Sequence, residues 1–468
     1  MIEYIRWYDY ILFLILLVAI ILFSRSFLKK KISPDIYSYF LNGIIIKLIA
    51  SQIYVHIYIY YYTFGDTIRF FRFGQFYKNL LSEISNIGFF EWLFMDNEKY
   101  MSYIHYRIDY SYGFADSSFF INKISGILSF ITFDSFLLNT ALFSLMSYFG
   151  LWFMYIAFIK MYPQLKREFA VSILFLPSVV FWGAGLMKDT LSLAAIGYMT
   201  YNFCRVFILK DKLSIVDIIL NVLMFVFCSY VISQIKVYQL LAYLPGTFLW
   251  LFYHYRGKIK SDFIRISITP ALLTFVGFAI IFGLQAFSEE LDKYALENVV
   301  DTALALSYDL GRQDAGSTYD LGVINPTIGG LLSKIPAAVN VTLYRPYLFE
   351  AKNIVMLFSS IESTLVLIIS IYIFFKVGIF NFIKKVLGSG VLLYCFVFTL
   401  IFGFAVGMSS SNFGSLVRYK IPILPFYMSG LFILYFQVVN QPFFDRFFKK
   451  KHKKAILKPN KNIQSINK

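Results

Sequence analysis

The stretch PSVVFWGAGLMKD, Pro177 to Asp189, ends a hydrophobic run at a lysine beside an aspartate. Pro177, Gly183 and Gly185 interrupt an apolar helix, and the next one begins near Lys188, with Asp189 placed to cap its N-terminus. Two charges between two greasy segments mark a membrane boundary, and the rest of the chain agrees. Of 468 residues, 59% are hydrophobic, 20% aromatic and only 15% charged, too little charged surface for a soluble protein of this size. The net charge of +16 is gathered in short clusters between apolar runs, which is a topological pattern and not one that argues for nucleic acid. Cys204, Cys228 and Cys395 lie inside apolar runs without metal-ligand spacing and read as inert.

A bilayer core of roughly 30 Å needs about 20 apolar residues per helix. Runs of that kind occupy 8–23, 36–63, 134–159, 169–186, 189–209, 214–232, 237–253, 263–287, 353–375, 386–408 and 421–439. The expected fold class is therefore all-α: a polytopic transmembrane bundle of about eleven spans, with interfacial helices and outer loops. The run Tyr8 to Phe23 lacks a basic leader and a cleavage site and reads as a retained span. Basic clusters at Lys29–Lys31, Lys160–Arg167, Lys210–Lys212, Arg256–Lys260, Lys376–Lys385 and Lys449–Lys454 fall on alternate turns. The positive-inside rule assigns them to the cytoplasm, which puts the N-terminus outside and the C-terminus inside.

Residues 1–468 then form one integral membrane domain, with outer segments at 65–133, 288–352 and 409–420 and a basic cytoplasmic tail at 440–468. Segment 288–352 carries acidic residues from Glu289 to Asp320, then Pro326, Gly329 and Gly330, so its first part reads as an interfacial helix and its second as a loop.

Four outer stretches can carry chemistry. In YYTFGDTIRFFRFGQFY, residues 61–77, Gly65 permits a turn, Asp66 stands at the boundary, and Arg69 and Arg72 follow on roughly one helical face. A carboxylate beside guanidiniums at a membrane mouth can hold an anionic head group or activate a hydroxyl; the plainer reading is a helix cap with interfacial arginines. Lys188 and Asp189 can form an anion site with free backbone amides, or only mark the water interface. In VTLYRPYLFEAKN, residues 341–353, Arg345 can bind phosphate and Glu350 orient it, or the motif only anchors the following helix at the interface. In GSLVRYKIPILPFYMSG, Arg418 and Lys420 lead into a helix with Pro422 and Pro425 in its first turns. Asp116 and Lys236 add an acid and a base to the same face. Lys47, inside a span, is expected to snorkel, and His56 to make a hydrogen-bonded helix–helix contact. No Walker loop, dinucleotide fingerprint, HExxH or GxSxG stands in a plausible context.

The segments FGDTIRFF, PSVVFWGAGLMKD, LYRPYLFEA and RYKIPILPF, in that order, resemble patterns of bacterial polytopic proteins of the GT-C glycosyltransferase-like group and the related O-antigen-type polymerases of surface polysaccharide. The resemblance implies transfer of a sugar or oligosaccharide from a polyprenyl-phosphate or polyprenyl-diphosphate donor to a glycan or lipid acceptor, on the outer face of the bacterial inner membrane. It implies Asp66 as general base and Arg345 and Arg418, with Lys188 and Arg69, as ligands of the donor phosphate. Asp116, Asp189, Glu350 and Lys236 would support them. A divalent cation, Mg or Mn, is optional; membrane lipids and envelope assembly partners complete the expected environment, and nucleic acid has no place in it. One complete span precedes the one that delivers Asp66, a departure from the usual order of that group. The alternative is a transporter or flippase of polyprenyl-linked glycans, which needs charges near the middle of the bundle and often paired halves.

Overall fold

The computed structural model describes residues 4–83, 87–104, 115–209, 211–256, 318–322, 328–410 and 412–447. The expected span 263–287, the acidic residues from Glu289 to Asp314, Pro326 and the tail beyond residue 447 lie outside the described residues. Among the described residues the elements are helices, with one isolated β-bridge between Thr318 and Asn412.

Helix α1 (Trp7–Phe23) is apolar all round and leaves Leu14, Ile15, Val18 and Leu22 exposed, as a lipid-facing helix should. Helix α2 (Pro34–His56) runs on through a π-helical turn, Ile57–Tyr62. Four helices too short or too polar to cross follow: α3 (Asp66–Glu83), α4 (Phe89–Leu93), α5 (Asn97–Ile104) and α6 (Asp116–Ile131). Next come α7 (Phe136–Met161), the short α8 (Lys166–Phe169) with a π turn at Ala170–Leu174, and α9 (Pro177–Trp182). Helices α10 (Lys188–Phe203) and α11 (Ile215–Tyr255) complete the first part. The second holds α12 (Ile328–Ser333), α13 (Ile335–Tyr344), α14 (Ile354–Val377), α15 (Ile379–Gly388), α16 (Gly390–Ser409), α17 (Phe413–Tyr419) and α18 (Leu424–Val439).

Among the described residues seven helices are long and apolar enough to cross a membrane, eight if α17 and α18, bent by 61°, make one span. The chain is thus an all-α polytopic membrane protein, but the expectation of about eleven crossings is overturned. Residues 214–232 and 237–253 fall in the 41-residue α11, two helical stretches that meet at a kink where Lys236 has non-helical dihedrals (φ −156°, ψ 76°), and α11 is one of the seven long apolar helices. Residues 169–186 are not a span, because their helical pieces are short and α9 has only 6 residues. Hydropathy counts apolar side chains and is blind to the hydrogen-bond ladder. Pro177 removes a donor and disfavours an α conformation at the preceding residue, so the apolar run breaks there.

Glycines set the closest packing. A Cβ on Gly150 of α7 would lie 2.3 Å from the Ala194 carbonyl oxygen of α10, and one on Gly197 2.3 Å from that of Gly150. Only glycine lets these two helices meet backbone to backbone. Helices α3 and α6 meet the same way at Gly74 and Gly126, where a Cβ on either would fall 2.6 Å from an oxygen or hydroxyl of the other helix. This hairpin carries its own small core of Tyr77, Trp92, Tyr100 and Phe119, and the Trp92 indole donates to the Tyr77 carbonyl at 2.7 Å. Burial pushes the Tyr77 and Tyr100 hydroxyls up from their ordinary pKa.

Candidate functional site

Helix α2 carries Asp35, paired with Lys166, in its first turn and leads at its far end to Asp66. The turn between needs a left-handed Thr63 (φ 60°) and Gly65 at φ 140°, a conformation a side chain would strain. Asp66 opens α3, and its carboxylate accepts from Arg418 Nη1 of α17 at 3.5 Å. The two residues stand 352 apart in sequence. The Asp66 side chain is 41% exposed and that of Arg418 14%, so a carboxylate at the surface covers a guanidinium beneath it. Around that guanidinium lie, within electrostatic reach, Tyr58, Asp189, Tyr419 and Tyr54. Its Nε is buried and has no hydrogen-bond partner among the described residues.

Asp189 lies in the first turn of α10 and accepts from Lys236 Nζ, at the point where α11 loses its helical dihedrals. Both side chains are almost fully buried, and the ammonium sits 4.1 Å from the Tyr419 ring, the neighbour of Arg418. Asp66, Arg418, Asp189 and Lys236 therefore form one cluster. Lys188 flanks it, donating to Ser117 Oγ at 2.8 Å, with its Nζ 6.0 Å from the Phe70 ring of α3. Arg69 lies three residues beyond Asp66, at the next turn of α3.

Other expected site residues are engaged elsewhere. Arg345 binds Glu350 with two guanidinium nitrogens, one at 3.1 Å, and Glu350 also accepts from the Tyr347 amide at 2.8 Å. The same guanidinium lies over Phe413 at 5.0 Å, while Tyr319, in the described part of segment 288–352, packs against Phe413 in a tilted pair at 5.3 Å. Asp116 accepts from the Asn97 side-chain amide at 2.8 Å. His56 joins α2 to α1 through Tyr10 at 2.9 Å.

A second set of buried charges answers the helix breaks. Lys47 does not snorkel: it is 2% exposed and donates to the Val179 carbonyl at 2.7 Å, inside the α9 break. Glu362 of α14 accepts from the Ser178 amide at 2.6 Å, one residue after Pro177. Lys420, in the bend between α17 and α18, donates to the Arg345 carbonyl at 2.9 Å and to Ser363 at 2.8 Å. An unpaired backbone group in the hydrocarbon region costs several kcal/mol, so a charge that satisfies one is retained. Glu362 was missed in the sequence reading, although a glutamate within the apolar run SSIESTLVL is itself a signal of an internal partner.

Among the described residues no group of three or more His, Cys, Asp or Glu side chains is placed to hold a metal ion. The optional Mg or Mn finds no such group among the described residues. No protein-family model matches the chain, and neither a curated protein nor a solved structure matches it.

Proposed function

We propose that the chain transfers a sugar or oligosaccharide from a polyprenyl-linked phosphate donor to a glycan or lipid acceptor at one membrane face. The observation that carries the reading is the Asp66–Arg418 pair, a half-exposed carboxylate over a buried guanidinium that keeps unused donor capacity. Asp66 takes the proton of the acceptor hydroxyl as its oxygen attacks the anomeric carbon. The bond from that carbon to the donor oxygen breaks, and the phosphate leaves with the electron pair. Arg418 neutralises that charge, with Lys188 and Arg69 on the flank. Arg345, held by Glu350, is a poorer candidate for the same task. The basic clusters at the other loops make the Asp66 end the outer face under the positive-inside rule.

A specific observation favours the second reading, a transporter of the same lipid-linked glycan. Buried charges and interrupted helices occur within the bundle at Lys47, Glu362, Lys420 and Lys236, the arrangement by which transporters hold charged cargo. Purified protein in liposomes, given a polyprenyl-linked sugar, separates the two. Incorporation of sugar into acceptor by wild type, lost in Arg418→Ala, supports transfer. Movement of intact donor between leaflets without product sinks it in favour of transport.

A further inference from the structure

Helix α15 joins two spans, α14 and α16, at the end of α14 away from its Ser363–Arg345 contact. Its 10 residues reach about 15 Å, too short to cross, so the helix stays at that face of the membrane. Gly378 makes the entry: its φ of 74° ends α14, and a side chain there would strain the turn. At about 100° per residue, α15 presents three faces. Phe382 and Val386 turn inward, the Phe382 ring lying 5.1 Å from Phe374 of α14 and 5.4 Å from Phe396 of α16. Beside them Ile379, Phe380, Ile383 and Leu387 are exposed, Phe380 by 87%. The remaining arc, with Asn381, Lys384, Lys385 and Gly388, is polar or small.

The lipid-facing stripe of α14, Leu365, Ile368, Ile371 and Phe375, leads in sequence straight to the exposed apolar arc. The chain has no Asp or Glu between Glu362 and Asp445, and Lys376, Lys384 and Lys385 form no ion pair with a described residue. An apolar arc bordered by uncompensated lysines matches a surface that is apolar below and anionic above. A second copy of the chain would bring the same three lysines and repel. We propose that α15 lies in the headgroup layer with its exposed arc among acyl chains, and that Lys376, Lys384 and Lys385 hold the phosphates of anionic phospholipids. Lys384 borders Phe380 on the helix, so its stem follows the apolar arc while its ammonium rises to the phosphate. This lipid site is independent of the transfer chemistry.

The test is local quenching. Cys204, Cys228 and Cys395 are buried, so in Phe380→Cys a fluorescent thiol label goes to residue 380 alone. The labelled full-length protein is reconstituted in mixtures of phosphatidylcholine and phosphatidylglycerol, with bromine on the acyl chains of one or the other. Both brominated lipids should quench, and phosphatidylglycerol should associate about tenfold more strongly or better, as lysines near an anionic surface imply. Each single lysine-to-glutamine change should lower that ratio about two- to fivefold, and Lys376→Gln, Lys384→Gln and Lys385→Gln together should bring it to about one. Thermal stability should hold, because the three lysines make no described ion pair. A label at Leu387→Cys, on the same arc, should repeat the pattern. No quenching by either lipid would overturn the membrane seat of α15 and assign its apolar arc to a protein partner. Equal quenching by both lipids, or a preference that survives all three substitutions, would overturn the role of the lysines.

Discussion

Two sets of charge inside this membrane protein look alike in sequence and differ in use. Lys47, Glu362 and Lys420 each bond a backbone group at or beside a break in a helix: Val179 carbonyl, Ser178 amide and Arg345 carbonyl. In the Asp66 cluster the charges face one another, and Arg418 Nε keeps capacity that no described residue takes up. The difference teaches how to separate structure from function where both need buried charge. A group that completes the backbone ladder is part of the fold. A group with donors to spare, next to an exposed carboxylate, is placed for something that comes and goes.

Substitutions put numbers on that contrast. Asp189→Ala should have the largest effect on stability, about 3–5 kcal/mol, because it strands Lys236 as an unpaired buried charge. Thermal unfolding in detergent checks it; a loss below about 1 kcal/mol would mean water or lipid head groups already serve Lys236. Lys47→Met should follow, at about 1–3 kcal/mol, since the Val179 carbonyl loses its partner in the α9 break. Proteolysis rates within residues 170–187 should rise with it. Tyr148→Phe, which removes a donor to the Phe40 carbonyl at 2.5 Å, should cost about 1 kcal/mol. Unchanged thermal unfolding in that variant would show that this hydroxyl does not hold the fold. Asp66→Asn should be smallest of all in stability, within about 0.5 kcal/mol, because the carboxylate is partly exposed and its ion pair loose.

Much of this was legible in the chain. Apolar runs of the right length announced a helical membrane protein, and Asp66, Asp189, Lys236 and Arg418 were each visible as charges at the ends or within apolar segments. Their assembly was not legible, since Asp66 and Arg418 are 352 residues apart and nothing local joins them. The number of spans failed for a physical reason: composition cannot report that the ladder stops at Pro177. The fate of Lys47 was hidden by the same break, because its partner is a carbonyl 132 residues away.

The most direct test compares one member of each set in a single assay. Sugar transfer from a polyprenyl-linked donor is measured in liposomes for wild type, Asp66→Asn and Lys47→Met, normalised to folded protein. Asp66→Asn should fall by about a hundredfold or more at unchanged stability, as loss of a general base requires, while Lys47→Met keeps its activity per folded molecule. Full transfer by Asp66→Asn, or a loss per folded molecule in Lys47→Met as deep as that in Asp66→Asn, would contradict the division of these charges into a working pair and a structural set.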